Sequence, residues 1–177
     1  PWHQDAGVMN KKGQKGTELV TCWIPFTKTR IENGCMLAVK ESHKYGLVNH
    51  VTGSKGQVEI KGKEIIDKLP TVALEADVGD IILLNKYLLH CSLPNKSKNF
   101  RISMDLRFNK AGQPSGRDPL PNFIIRSKNK NKIKIQNYKQ WIALWEEAKV
   151  KCIPRKWSYK YPLPTFKGSE RDLPNII

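Results

Sequence analysis

Residues 100–108 alternate without a break: Phe100, Ile102, Met104, Leu106 and Phe108 are separated by Arg101, Ser103, Asp105 and Arg107. Successive side chains of a strand point to opposite faces, so a period of two demands an extended segment with one apolar and one polar side. The apolar side must pack against other elements. The polar side, with two arginines and an aspartate, has two readings. It is a solvated surface, as on any half-buried antiparallel strand, or it lines a barrel that holds a ligand.

The segments before it are also short and strand-like. Residues 17–26 are rich in β-branched and aromatic side chains, and Pro25 marks an end or an edge. Asn33-Gly34 favours a tight left-handed turn, after which residues 35–39 read as the returning strand of a hairpin. Residues 58–60 and 71–75 are further strands. Residues 81–84 form a continuous apolar strand expected to be covered on both faces. Residues 6–16, rich in Gly and Lys, and residues 40–56, which carry His43 and His50, read as loops. Short strands punctuated by turns are the pattern of an all-β sandwich or jelly roll, here over residues 1–109.

From residue 110 to residue 177 the character changes, and this extension is expected to pack on the same domain. Asn137 is placed to cap a helix over residues 137–149, with Tyr138, Trp141, Ile142, Trp145 and Ala148 as its core-facing stripe. The tail after Pro154 is rich in Pro, Lys and aromatics and is expected to run extended over the domain.

Lysine and arginine number 31 against 16 aspartates and glutamates, a formal charge of +15. Lysine supplies most of the excess, whereas arginine is the usual reader of phosphates and base edges. No zinc finger, helix-turn-helix or RNP pattern accompanies the charge, so no nucleic-acid partner is expected. The field would still draw anionic ligands. No run of about 18 apolar residues occurs, so no membrane span is expected. Cys22, Cys35, Cys91 and Cys152 match no zinc module, and reduced thiols in a cytoplasmic protein are the simplest reading.

The chemistry-bearing residues open the chain. His3 and Asp5, two apart, point to one side if the backbone is extended. A histidine from far along the chain would complete a two-histidine, one-carboxylate face, the ligand set of non-haem Fe(II) oxygenases. His90, just after the apolar residues 87–89, is the best-placed partner. His43 reads as structural and His50 as a loop residue near a pocket mouth.

Trp2-His3-Gln4-Asp5, the strand around Trp23, Glu32-Asn33-Gly34-Cys35-Met36, Glu41-Ser42-His43-Lys44, Gly79-Asp80, Leu89-His90-Cys91-Ser92 and Phe100-Arg101-Ile102-Ser103 follow in a fixed order. As a set, over residues 2–109, they resemble the phytanoyl-CoA dioxygenase family of Fe(II)/2-oxoglutarate-dependent oxygenases. The arginine eleven positions after the distal histidine, Arg101 after His90, is part of that likeness. The resemblance implies a double-stranded β-helix, a jelly-roll variant. It also implies a fold incomplete on its N-terminal side, because family members carry substantial chain ahead of the His-x-Asp motif. It implies iron ligands at His3, Asp5 and His90. Arg101 would hold the distal carboxylate of 2-oxoglutarate, a task that suits a planar guanidinium. Gln4, Trp23 and Ser92 would make secondary contacts to the cosubstrate. The implied cofactor is Fe(II), with 2-oxoglutarate and O2 as cosubstrates. The implied reaction is hydroxylation of an aliphatic C–H in a small-molecule or acyl-type substrate. Related halogenases carry a small residue where this chain has Asp5, so the aspartate argues against halogenation. The competing readings are a zinc hydrolase and a catalytically inactive relative or ligand-binding jelly-roll domain.

Overall fold

The computed structural model describes residues 1–54, 57–62, 66, 68–118, 120–133, 135 and 137–152, so the tail after Pro154 lies outside the described residues. The strands are β1 (Leu19–Pro25), β2 (Met36–Val39), β3 (His50–Thr52), β4 (Val58–Ile60), β5 (Thr71–Leu74), β6 (Ile82–Asn85), β7 (His90–Ser92) and β8 (Ser103–Asn109). They build two three-stranded antiparallel sheets, β6-β1-β8 and β5-β2-β7, and a separate hairpin, β3-β4. This is the all-β, jelly-roll core expected from the strand pattern.

The main apolar cluster joins the two sheets. Trp23 and Leu84 from one meet Met36 from the other and Ala76 just after β5, with Leu74, Ile82 and Leu88 packed around them. A second cluster, Val39, Ile60, Ile66 and Leu89, ties the β3-β4 hairpin to the second sheet and takes in Trp2. Burying each large apolar side chain contributes about 1.5–3 kcal/mol, and such clusters hold the sheets face to face.

The alternation in residues 100–108 settles which way β8 faces. Across β1 and β8, Thr21 lies opposite Arg107, Trp23 opposite Asp105 and Pro25 opposite Ser103. Directly opposed residues share a face, and Trp23 belongs to the core between the sheets. The polar side of β8 therefore looks inward, while Leu106 and Phe108 stand on the outer face and remain partly exposed.

Several sequence expectations are corrected. β2 does not return beside β1. Asn33 accepts from the Arg30 N–H and donates to Lys28 O, closing the 30–34 turn on itself. Gly34, at φ 87°, then sends the chain into the other sheet. Of the two readings of Pro25, the first holds: it ends β1, which is a central strand. β6 is an edge strand covered on one face only, so Leu83 is 66% exposed while Leu84 is buried. Residues 6–16 are not a plain loop: a 3-10 turn (Asp5–Val8) leads to helix α1 (Lys11–Gly16), capped by Asn10 accepting from the Gly13 N–H. Gly13 lies against Gly116, where a Cβ would collide.

Helix α2 (Tyr138–Cys152) starts where Asn137 predicts, with the Gln140 N–H bonded to the Asn137 side chain. Its aromatic stripe is not core. Only Ala148 is buried, and Tyr138, Trp141, Ile142 and Trp145 remain largely exposed. Trp141 and Trp145 instead form one wall of a cavity against β8.

Candidate metal centre

His3 and His90 are neighbours in an isolated antiparallel bridge. The His3 N–H donates to His90 O and the His90 N–H to His3 O, each at 3.0 Å. Residues exchanging both bonds sit directly opposite and project to the same side. The ring centroids are 4.3 Å apart. Gln4 is extended (φ −117°, ψ 143°), so Asp5 falls on the side of His3 as the spacing predicts. The outcome is one cluster in which ligand atoms of His3, Asp5 and His90 all lie within 4.8 Å of one another.

The histidines are arranged as metal ligands usually are. His3 Nδ1 lies 3.0 Å from Pro1 O and His90 Nδ1 2.9 Å from Leu88 O. A carbonyl accepts only, so each Nδ1 carries the proton and each Nε2 presents a lone pair. Burial, with His90 close by, lowers the His3 pKa to about 4, which keeps the ring neutral and able to ligate near pH 7. The donor set, two imidazole nitrogens and one carboxylate, fits a first-row divalent metal with open positions.

Asp5 is 1% exposed and held from two sides. Thr21 Oγ1 donates to Oδ2 at 2.6 Å and Arg107 Nη2 donates to Oδ1 at 2.9 Å. Burial alone would push the carboxyl pKa up, but Arg107 and Thr21 outweigh it and hold it below the usual carboxylate value. Neither Thr21 nor Arg107 was singled out from sequence. The available signal was the inward polar face of β8 together with the hydroxyl opposite it on β1.

Gln4 is not placed to touch a cosubstrate, which corrects the expectation for it. Its side chain is fully buried and turned away from its two neighbours. The amide donates to Gly46 O at 2.8 Å and Tyr87 O at 2.6 Å, and its oxygen accepts from the Val48 N–H at 2.9 Å. It ties the motif to the 46–48 segment and to the chain just before His90. His50 completes this pin. It is the first residue of β3 rather than part of a loop, and its Nε2 accepts the Gln4 N–H at 3.1 Å while Nδ1 faces Val48 O at 2.8 Å. Gly7 packs on the His50 ring so closely that a Cβ there would collide with it. His43 is exposed and takes no part. Its buried neighbour Ser42 bonds Val39 O at 2.9 Å and the Leu89 N–H at 2.8 Å, joining β2 to the strand that carries His90.

Arg101, Trp23 and Ser92 form a second group. The Arg101 guanidinium lies 5.6 Å from the centroid of the Trp23 ring. It donates to Ser103 Oγ at 2.8 Å and to Ser92 Oγ at 3.3 Å. Trp23 follows Thr21 by two residues on β1, and Ser92 follows His90 by two on β7, so this group continues along faces that begin at the metal ligands. On the outer face of β8, opposite the metal ligands, Leu106, Phe108, Phe123, Trp141 and Trp145 wall a cavity of about 540 Å³ whose lining also includes Arg107.

Proteins of known name are similar to this chain. Residues 1–103 match the family phytanoyl-CoA dioxygenase (PhyH). The chain is 32% identical over 114 residues to the phytanoyl-CoA dioxygenase domain-containing protein 1 homolog of Dictyostelium discoideum, covering 60% of this chain and 39% of that one. It is 28% identical over 112 residues to the 2-aminoethylphosphonate dioxygenase of the uncultured bacterium HF130_AEPn_1, covering 63% and 40%. The chain thus spans about two fifths of the length of these relatives. Among solved structures, the fold is similar to the non-heme monooxygenase ThoJ in its apo form, with a TM-score of 0.64 at 18% identity over 86% of this chain and 58% of that one. It is also similar to EvdO2 from Micromonospora carbonacea var. aurantiaca complexed with 2-oxoglutarate, with a TM-score of 0.55 at 18% identity over 67% and 49%. More than half of the sequence falls under one family pattern, on the matching fold, and the chain belongs to the phytanoyl-CoA dioxygenase family.

Proposed function

We propose that this chain carries the iron- and cosubstrate-binding core of an Fe(II)- and 2-oxoglutarate-dependent dioxygenase. The observation that carries the reading is the convergence of His3, Asp5 and His90, with both histidines held in the Nδ1–H form. These three side chains would hold the iron, leaving its other positions open. Bound iron would supply the oxidising chemistry that couples decarboxylation of 2-oxoglutarate by dioxygen to hydroxylation of a substrate C–H.

The remaining work falls to the protein. Arg101 would take the distal carboxylate of 2-oxoglutarate in a two-point grip. Trp23 beside it supplies an apolar wall, and Ser92 and Ser103 hold the guanidinium in place. The substrate would be a small-molecule or acyl-type compound oxidised at an aliphatic C–H. One relative is named a phytanoyl-CoA dioxygenase and another a 2-aminoethylphosphonate dioxygenase, names that fit an acyl-type or a small-molecule substrate. The free, buried thiols of Cys22, Cys35 and Cys91 suit a reducing compartment, the cytoplasm.

The test is succinate formation from 2-oxoglutarate with Fe(II) and O2, which such sites catalyse slowly even without the prime substrate. The wild-type chain should produce succinate, and His3→Ala and Asp5→Ala should not. Succinate formation that survives Asp5→Ala would remove the assignment.

A further inference from the structure

Asp5 is the only carboxylate of the cluster, and one of its oxygens is already bonded to a full positive charge. Arg107 reaches it from β8, and directly across the strand pair Thr21 reaches the other oxygen from β1. Each contact restricts the rotation of a side chain that is otherwise buried, so each favours a fixed ligand. They differ in charge. Thr21 is neutral, whereas the Arg107 guanidinium repels any cation that shares the same carboxylate. Two thirds of the Arg107 side chain is shielded from water, which weakens screening of that repulsion.

Resting on the iron-site reading above, we propose that Arg107 is a positioning residue that acts through Asp5 as a built-in counter-charge. It keeps the buried carboxylate ordered and compensated when no metal is bound, and it lowers the affinity of the site for divalent cations. Thr21 orients Asp5 without that penalty. Arg107 thereby sets the metal affinity to an exchangeable level.

A purely structural role for Arg107 would make every replacement weaken both folding and metal binding. A counter-charge separates the two. Mn(II) binding, followed by the loss of the free-ion EPR signal at fixed pH and salt, and thermal unfolding of the metal-free chain read them independently. Arg107→Met and Arg107→Gln should each bind Mn(II) about tenfold or more tightly than wild type while their metal-free forms melt at lower temperature. Arg107→Gln keeps an N–H donor, so it remains informative if the methionine variant does not fold. Arg107→Lys, which keeps the charge, should stay within a few-fold of wild type, and Thr21→Val should not bind more tightly. Unchanged or weaker Mn(II) binding in Arg107→Gln overturns the counter-charge. No Mn(II) binding by wild type, or equal binding by Asp5→Ala, overturns the iron-site reading and this inference with it.

Discussion

His3 and His90 exchange both backbone hydrogen bonds at 3.0 Å, so the two histidines are set side by side by main chain alone. The rings need only keep their Nδ1–H bonds to Pro1 O and Leu88 O to present both Nε2 atoms to one point. Replacing either ring should therefore remove metal binding while leaving the bridge intact. His3→Ala and His90→Ala are expected to lose the visible absorption of bound Co(II) and to keep the wild-type far-UV circular dichroism. Retention of the Co(II) bands in either variant would exclude that histidine as a ligand.

Gln4 should matter for folding and, through folding, for the metal. Gln4→Ala leaves the Val48 N–H and the Gly46 and Tyr87 carbonyls short of a partner. The expected loss is about 2–4 kcal/mol in urea unfolding, since each unmet buried group costs about 1–3 kcal/mol less whatever relaxation recovers. Co(II) affinity should fall about 10- to 100-fold, as for other residues that orient ligands. Gly7→Ala, which drives a methyl group into the His50 ring, should cost about 1–3 kcal/mol by the same assay.

Ser42 and His43 make a contrasting pair. Ser42→Ala breaks two buried bonds that join β2 to the His90 strand and should cost about 1–3 kcal/mol. His43→Ala, on the exposed side of the same turn, should change stability by no more than about 0.5 kcal/mol. Equal effects would show that the turn is not fastened through Ser42.

The Arg101 group should govern the cosubstrate and not the metal. Arg101→Lys keeps the charge but loses the planar fork. We expect the KM for 2-oxoglutarate to rise about tenfold or more, with Mn(II) affinity unchanged. An unchanged KM would remove Arg101 from the cosubstrate site.

Acid should destabilise the metal-free chain. Burial holds His3 at about 4 and lowers His50 below its ordinary value. Unfolded histidines titrate near 6.5, so between that value and the folded ones the unfolded chain binds more protons. Stability is then fully present above about pH 6.5 and is lost as pH falls toward 4. Protonated His50 also cannot accept the Gln4 N–H. Urea midpoints should drop between pH 7 and pH 5, and His50→Gln should flatten part of that slope. A flat profile would mean that neither ring is held neutral.

Much of this was legible in the residues because the signals were local or periodic. The His-x-Asp spacing, the alternation of residues 100–108 and the cap at Asn137 each follow from geometry along a single segment. What escaped depends on partners distant in sequence. Arg107 gains its role only when β8 pairs with β1 and brings it beside Thr21. The family resemblance implies a cosubstrate contact at Gln4, yet an extended residue between two inward-pointing side chains must point outward. The turn at Asn33-Gly34 looked like a hairpin because the dipeptide specifies local curvature and says nothing about which sheet receives the next strand. The α2 aromatics looked like core because periodicity reports an amphipathic face and not what lies opposite it.

The most direct measurement is an anaerobic titration of the chain with Fe(II) and 2-oxoglutarate, watched in the visible spectrum. Chelation of ferrous iron by the keto acid in such a site produces a metal-to-ligand charge-transfer band. The account predicts that band in the wild-type chain, its absence in Asp5→Ala, and a requirement for more 2-oxoglutarate in Arg101→Lys. A wild-type chain that shows no band with both components at saturation, or an Asp5→Ala variant that shows it undiminished, would contradict the claim that these residues form the iron and cosubstrate site.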